Sequence, residues 1–199
     1  MNDYETWDIF GCCVEYYDEI HAYIVDGELL PSITTILKTK YKNKYSRVNK
    51  NVLERAAKLG TEMHTAIQEY EERGKESDIP ELRGYKFLKK HYKWECIENE
   101  KPVILFRNEK PIACGRIDMI AKIGEELGCF DFKRTATLDK EYLAYQLNLY
   151  RIAYQQCYGK HIQFLRGLHL REDVRKFVNI PINEQMAWEL VNEYLEGKI

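Results

Sequence analysis

Two aspartates and a lysine, Asp118, Asp131 and Lys133, stand close together in the stretch "CGRIDMIAKIGEELGCFDFKRT", residues 114–135. Paired carboxylates are the residue type that holds a hard divalent cation, so their mutual placement decides whether the stretch carries chemistry. The flanking residues read as a β-hairpin. Residues 117–122 and 127–135 are β-branched, aromatic or alternating, and Gly124-Glu125 suits a two-residue type II′ turn. With that turn, 123 pairs with 126, 122 with 127 and, by the same count, 118 with 131. The aspartates then face each other at about 4.5–5.5 Å between Cβ atoms, where like charges repel. Alternation puts Asp118, Ile120, Cys129, Asp131 and Lys133 on one face, and Ile117, Met119, Ala121, Phe130 and Phe132 on the other, expected as core. A divalent cation between the carboxylates removes the repulsion. A solvated hairpin face with Lys133 neutralising one aspartate fits the same spacing, and a one-residue slip separates the pair.

The surrounding elements must bring other side chains to this hairpin. In "LGTEMH", Gly60 and His64 lie one turn apart in a helix expected over residues 48–73 and ending at Gly74. Gln146 and Tyr150, four apart on a helix expected over residues 139–158, share one face, and that helix starts soon after Lys133. Other helices are expected at 32–39, with Ser32 as N-cap, at 79–93 and at 183–195. Strands are expected at 14–17, 22–25, 95–97, 103–106, 112–122, 129–134, 163–170 and 175–180. The order is α/β, read as one domain: an N-terminal hairpin and basic helical segment over 1–60, a core over 61–180 and a closing helix over 181–199.

Charge is uneven along the chain. The formal net charge of the 199 residues is −2, which excludes a surface basic all over. Yet residues 38–58 carry Lys38, Lys40, Lys42, Lys44, Arg47, Lys50, Arg55 and Lys58 against Glu54 alone, with Tyr41 and Tyr45 inside the run. Cations interleaved with aromatics suit phosphate neutralisation and base stacking, and a solvated lysine-rich helix and loop has the same composition. The 6 cysteines form no CxxC pair, so neither a zinc site nor a disulfide framework is indicated. An apolar share of 45% supports a sizeable core. No run of apolar residues is long enough to span a bilayer, and "MNDYETWDIF" lacks the features of a signal or transit peptide, so the chain reads as cytoplasmic.

The order Gly60-x-x-x-His64, Gly115-x-x-Asp118, Asp131-x-Lys133, Gln146-x-x-x-Tyr150 resembles the PD-(D/E)XK nuclease superfamily, in particular its RecB-like branch. With "LPSITTIL" and "ERAAKLGTEMH", it is similar to the small phage and mitochondrial genome maintenance type single-strand exonucleases. The resemblance spans roughly residues 30–155. It implies a restriction-endonuclease-like core, a mixed central sheet flanked by helices. It implies Mg²⁺ or Mn²⁺ held by Asp118, Asp131, His64 and the carbonyl of Phe132, with Lys133 orienting or deprotonating water, and Gln146 and Tyr150 positioning Lys133 or a phosphate. The implied partner is DNA, and the composition of the basic run makes Lys40, Tyr41, Lys42, Lys44, Tyr45, Arg47 and Lys50, together with Arg116, its expected contacts. The implied activity is exonucleolytic hydrolysis of single strands or DNA ends, in recombination, repair or replication of the phage or bacterial type. A structure-specific endonuclease and a non-catalytic accessory protein are the alternatives. The chain lacks the four flanking cysteines of the branch's iron–sulfur members, so no cluster is expected, and Ile117 stands where the family has proline.

Overall fold

A computed structural model describes residues 4–42, 46 and 48–199. The described residues form two sheets and five helices in a mixed α/β arrangement. Strands β1 (Tyr4–Ile9), β2 (Cys12–Tyr17), β3 (Ala22–Val25) and β4 (Glu28–Leu30) make an antiparallel meander where a single hairpin was expected. Helices α1 (Ile33–Lys40), α2 (Lys50–Arg73) and α3 (Pro80–Tyr92) follow. The second sheet has the order β5 (Glu95–Arg107), β6 (Lys110–Ile123), β7 (Glu126–Lys133), β8 (Phe164–Arg171), β9 (Val174–Ile180). Its β7–β8 pair is parallel, joined by the crossover helix α4 (Lys140–Tyr158), and α5 (Glu184–Leu195) closes the chain.

Local chemistry sets these boundaries. Ser32 caps α1 by accepting from the Thr35 amide at 3.0 Å, and Asp139 caps α4 by accepting from Tyr142 at 2.9 Å. Gly74 and Gly159 end α2 and α4 with left-handed φ of 64° each, a conformation that costs glycine little. At the β6–β7 turn Gly124 takes φ 62°, and the ladder runs Ile123↔Glu126 to Met119↔Phe130, the expected register. The two expected strands at 95–97 and 103–106 are one. Pro102 sits inside β5, opposite Arg116, and the polar run between them is strand rather than loop.

Both faces of the central hairpin are covered, and here the sequence expectation of one core face and one polar face is corrected. Ile120 and Cys129 lie in a core shared by α4, α1, α5 and the N-terminal sheet. Met119, Ala121, Phe130 and Phe132 lie in a second core beneath α2 and α3. Ile117, beyond the end of the β6–β7 ladder, packs in the first core. A strand with helices on both sides is apolar throughout, and in β7, after its exposed first residue Glu126, Asp131 and Lys133 break that pattern. The first core runs from β1 to α5 without interruption, and residue 60, an expected segment boundary, falls within α2.

Two glycines seat α4 on this sheet. A Cβ at Gly115 in β6 would lie 2.6 Å from the ring of Tyr150, and one at Gly167 in β8 would lie 2.3 Å from a methyl of Leu143. The close approach explains why glycine stands three residues before Asp118. Gly115→Ala is expected to destabilise the protein by about 1–3 kcal/mol through overpacking, and pairing it with Tyr150→Ala should recover part of the loss. Urea unfolding of the two variants checks this, and an unchanged midpoint for Gly115→Ala would contradict the packing.

Candidate metal centre and adjoining cavity

Four elements converge where β7 ends. Strand β6 brings Asp118, β7 brings Asp131, Phe132 and Lys133, α2 brings His64, and β5 brings Glu100. Ladder pairing between β6 and β7 stops at Met119↔Phe130. Beyond it the Asp118 carboxylate accepts the Phe132 amide at 2.6 Å, taking the place of the next backbone partner. Asp131, 1% exposed, has Lys133 Nζ 2.6 Å from its Oδ2. The two aspartates are thus neighbours with separate partners, not a bare face-to-face pair.

His64 Nδ1 lies 3.6 Å from Asp118 Oδ1 and 3.8 Å from Glu100 Oε1, while its Nε2 lies 3.2 Å from the Phe132 carbonyl oxygen. One ligand atom each from His64, Glu100 and Asp118 fall within 4.8 Å of one another. Carboxylate, carbonyl and imidazole donors so gathered are the ligand types of a Mg²⁺ or Mn²⁺ site. Glu100 was not foreseen. The flanking pairs Asn99↔Met119 and Lys101↔Ile117 put it across from Asp118, and its φ of 44° is a left-handed conformation that a non-glycine residue rarely adopts. Arg116 Nε holds Glu100 Oε2 at 3.1 Å, Arg116 Nη1 holds Glu5 at 3.1 Å, and its guanidinium lies 4.9 Å from the centre of the Tyr16 ring. That residue, expected on DNA, is engaged inside the protein and orients a carboxylate.

The electrostatics follow from burial. Removal from water raises the Asp131 pKa to about 6, with Asp118 adding to the rise and Lys133 opposing it. Burial also raises Asp118, against the pull of His64 and Lys133. Burial would lower His64, but Asp118 and Glu100 outweigh it and carry its pKa to about 9. Burial would lower Lys133 too, and Asp131 and Asp118 overcome that, so the ammonium keeps its proton.

A cavity of about 720 Å³ opens beside Lys133 and Gln146. Its walls are the C-terminal end of α1 with Lys38, Tyr41 and Lys42, the β7–α4 connection with Thr135 and Thr137, and Tyr142 of α4. Buried polar atoms without a hydrogen-bond partner lie at or beside this cavity among the described residues: Gln146 Oε1 and Thr135 Oγ1 of its walls, and Asp131 Oδ1, whose companion Oδ2 is taken by Lys133. Buried polar groups are normally satisfied, so such a group of orphans in one place points to a ligand. Tyr150, 4% exposed, lies against Gly115 with the Gln146 side chain in hydrogen-bonding reach, and supports the wall rather than lining it.

The basic run divides. Tyr41 and Lys42 line the cavity, Tyr41 with its ring 5.4 Å from that of Tyr142. Lys40 points elsewhere, to Glu193 at 3.2 Å and over the Tyr145 ring. Lys50 makes an exposed pair with Glu54 at 3.5 Å. Lys44, Tyr45 and Arg47 lie outside the described residues.

No family model matches the chain. No curated protein matches it. Among solved structures, the crystal structure of SSO0001 is similar at 16% identity and a TM-score of 0.47, over 84% of this chain and 75% of that one.

The raised values of Asp131, from 3.8 to about 6, and His64, from 6.5 to about 9, have one sign for stability. Each group holds its proton more tightly when folded, so its contribution is complete below the unfolded value and lost as pH climbs through the folded one. In EDTA, Asp131→Asn should therefore gain on wild type between about pH 4 and 6, whereas His64→Gln should trail wild type near pH 6.5 and close the gap by about pH 9. Melting temperatures across that range read both differences, and two curves flat with pH would count against the arrangement.

Proposed function

We propose that the chain is a metal-dependent deoxyribonuclease of the PD-(D/E)XK type, hydrolysing phosphodiester bonds in single-stranded DNA or at DNA ends. The observation that carries the reading is the meeting of two things at one point. Carboxylate ligands gather around His64, and beside them Lys133 and Gln146, whose Oε1 has no partner, line a cavity with basic and aromatic walls. His64, Glu100, Asp118 and the Phe132 carbonyl would hold a Mg²⁺ or Mn²⁺ ion, which when bound would supply Lewis acidity toward the phosphodiester and a water of lowered pKa. The chain's own residues do the rest. Lys133 offers charge where the pentavalent transition state is most negative and orients the attacking water. Gln146 positions a phosphate oxygen from the opposite wall. Lys38 and Lys42 neutralise flanking phosphates, and Tyr41 offers a ring edge or face to a base. The N-terminal sheet contributes through Glu5, which with Glu100 fixes Arg116.

End-labelled linear and circular, single- and double-stranded substrates in Mg²⁺, Mn²⁺ or EDTA test the reading. Laddering from one end of linear single strands is expected, with circles uncut. Asp118→Asn should be inactive, and measurable metal-dependent turnover in the purified variant would sink the assignment. Lys133→Ala should lose about 10²–10³-fold in kcat with Mn²⁺ affinity by calorimetry unchanged. Glu100→Gln and Arg116→Ala should instead weaken Mn²⁺ binding, Arg116→Ala by about 10-fold through its hold on Glu100.

A second test separates the cavity lysines from their neighbour. With Ca²⁺ in place of Mg²⁺, Lys42→Ala should flatten the dependence of log K on log salt by about 0.7, while Lys40→Ala, already paired with Glu193, should leave the slope alone. Equal slopes for both variants would make the basic run an ordinary solvated surface.

A further inference from the structure

The far edge of the second sheet carries a feature the proposed centre does not use. Strand β9 ends the sheet, and a groove of about 580 Å³ runs over it between α3 and the first residue of α4. Phe87 is 51% and Tyr92 39% exposed. They do not sit loosely. Tyr92 stacks on Phe177 with ring centres 3.9 Å apart and planes 15° apart, and Phe177 stacks in turn on the buried Trp94 at 5.5 Å and 10°. The Arg175 guanidinium covers Phe87 at 4.2 Å. Lys140, Lys176 and Arg175 are exposed at the rim, His91 is exposed beside them, and among the described residues no acidic side chain lines the groove. For a chain of net charge −2, a concavity with three cations and no carboxylate is a marked local excess.

Lysine and arginine on an edge strand also protect against edge-to-edge pairing. That role asks for charge but not for a rigid ladder of exposed rings. Aromatic faces with cations at their margins, and no hydrogen-bonding pattern of their own, suit a flexible polyanion that carries a π-face on each unit. Position supplies the second argument. Thr137, Leu138 and Asp139 line the cavity beside Lys133, and the next residue, Lys140, lines this groove. Consecutive residues at the start of α4 thus line the two concavities.

We infer that the β9 groove is a second contact surface for single-stranded nucleic acid, taking the part of the strand that extends out of the cavity past the start of α4. This rests on the nuclease reading for the strand's presence in the cavity. The groove holds the strand by stacking on Tyr92 and Phe87 and by phosphate contacts to Lys140 and Lys176. It adds affinity that grows with strand length without touching the reacting phosphate.

The test is anisotropy in Ca²⁺ with oligothymidylates of about 4 and about 16 nucleotides, on wild type and on Lys140→Glu/Lys176→Glu. The variant should lose about 10-fold in affinity for the long strand and flatten its salt slope by about 1.4, two single-strand phosphate contacts, while its affinity for the short strand stays the same. Phe87→Ser, an exposed position, should lose long-strand affinity with the slope kept. Hydrolysis of bis(p-nitrophenyl) phosphate in Mn²⁺ should be equal in all three proteins. Unchanged long-strand binding in the double variant, or equal losses on both lengths, overturns the groove. Competition by poly-glutamate as strong as by the oligonucleotide also overturns it, in favour of an acidic protein partner. Absence of phosphodiester hydrolysis in the wild type would instead count against the nuclease reading, so the two failures are separable.

Discussion

Three carboxylates, Glu100, Asp118 and Asp131, lie side by side beneath helices on both faces of a sheet, and each is met by its own cation. Arg116 answers Glu100, His64 answers Asp118 and Lys133 answers Asp131. Burying a charge without such a partner costs several kcal/mol, and even a paired one contributes little net stability. The surrounding architecture is what makes the three pairs possible. α2 is placed so that one imidazole spans two acids and a carbonyl, and the N-terminal sheet supplies Glu5 and Tyr16 as further partners of Arg116. The arrangement is complete on paper and still strained, since both aspartates hold protons more readily than a free carboxyl does. Carboxylates so buried, with pKa values pushed up by desolvation and by each other, mark the cluster as a candidate functional site.

Much of this was legible in the sequence because the β6–β7 hairpin obeys a simple count. A two-residue turn with glycine at its first position fixed the register as far as Met119↔Phe130, and so brought Asp118, Asp131 and Lys133 to the open end of that ladder, where the simple count stops. Burial was not legible in the same way. The apolar residues on the aspartates' face, Ile120 and Cys129, were too few to distinguish a solvated surface from the floor of α4's core, a long-range fact of topology that no local pattern carries.

Glu100 stayed hidden for a different reason. Counting back along β5 from its turn with β6, the pairs Arg107↔Lys110 and Phe106↔Pro111 would set Glu100 against Ile117, on the wrong face. The register shifts by one residue between Phe106 and Leu105, so Glu100 comes opposite Asp118, and it shifts back between Glu98 and Cys96. A bulge inverts the facing of every side chain beyond it until a second one restores it. The stretch between the two bulges is the stretch that serves the site, and the polar run "ENEK" that broke the strand pattern was the trace of it. The basic run shows the converse error. Composition grouped Lys40 with Lys42, but Lys40, the last residue of α1, turns toward α5, and Lys42, past the helix end, lines the cavity.

The two glycine contacts of α4 bear on how finely the centre is adjusted. Leu143 and Tyr150 press into Gly167 and Gly115, on the strands to either side of β7, and Gln146 lies between them on the same helix face. The helix rests like a beam on two notches, with β7 and its Asp131–Lys133 pair beneath the span. The height of Gln146 above that pair is therefore gauged by contacts a full turn away on each side, and belongs to the carpentry of the sheet rather than to the glutamine.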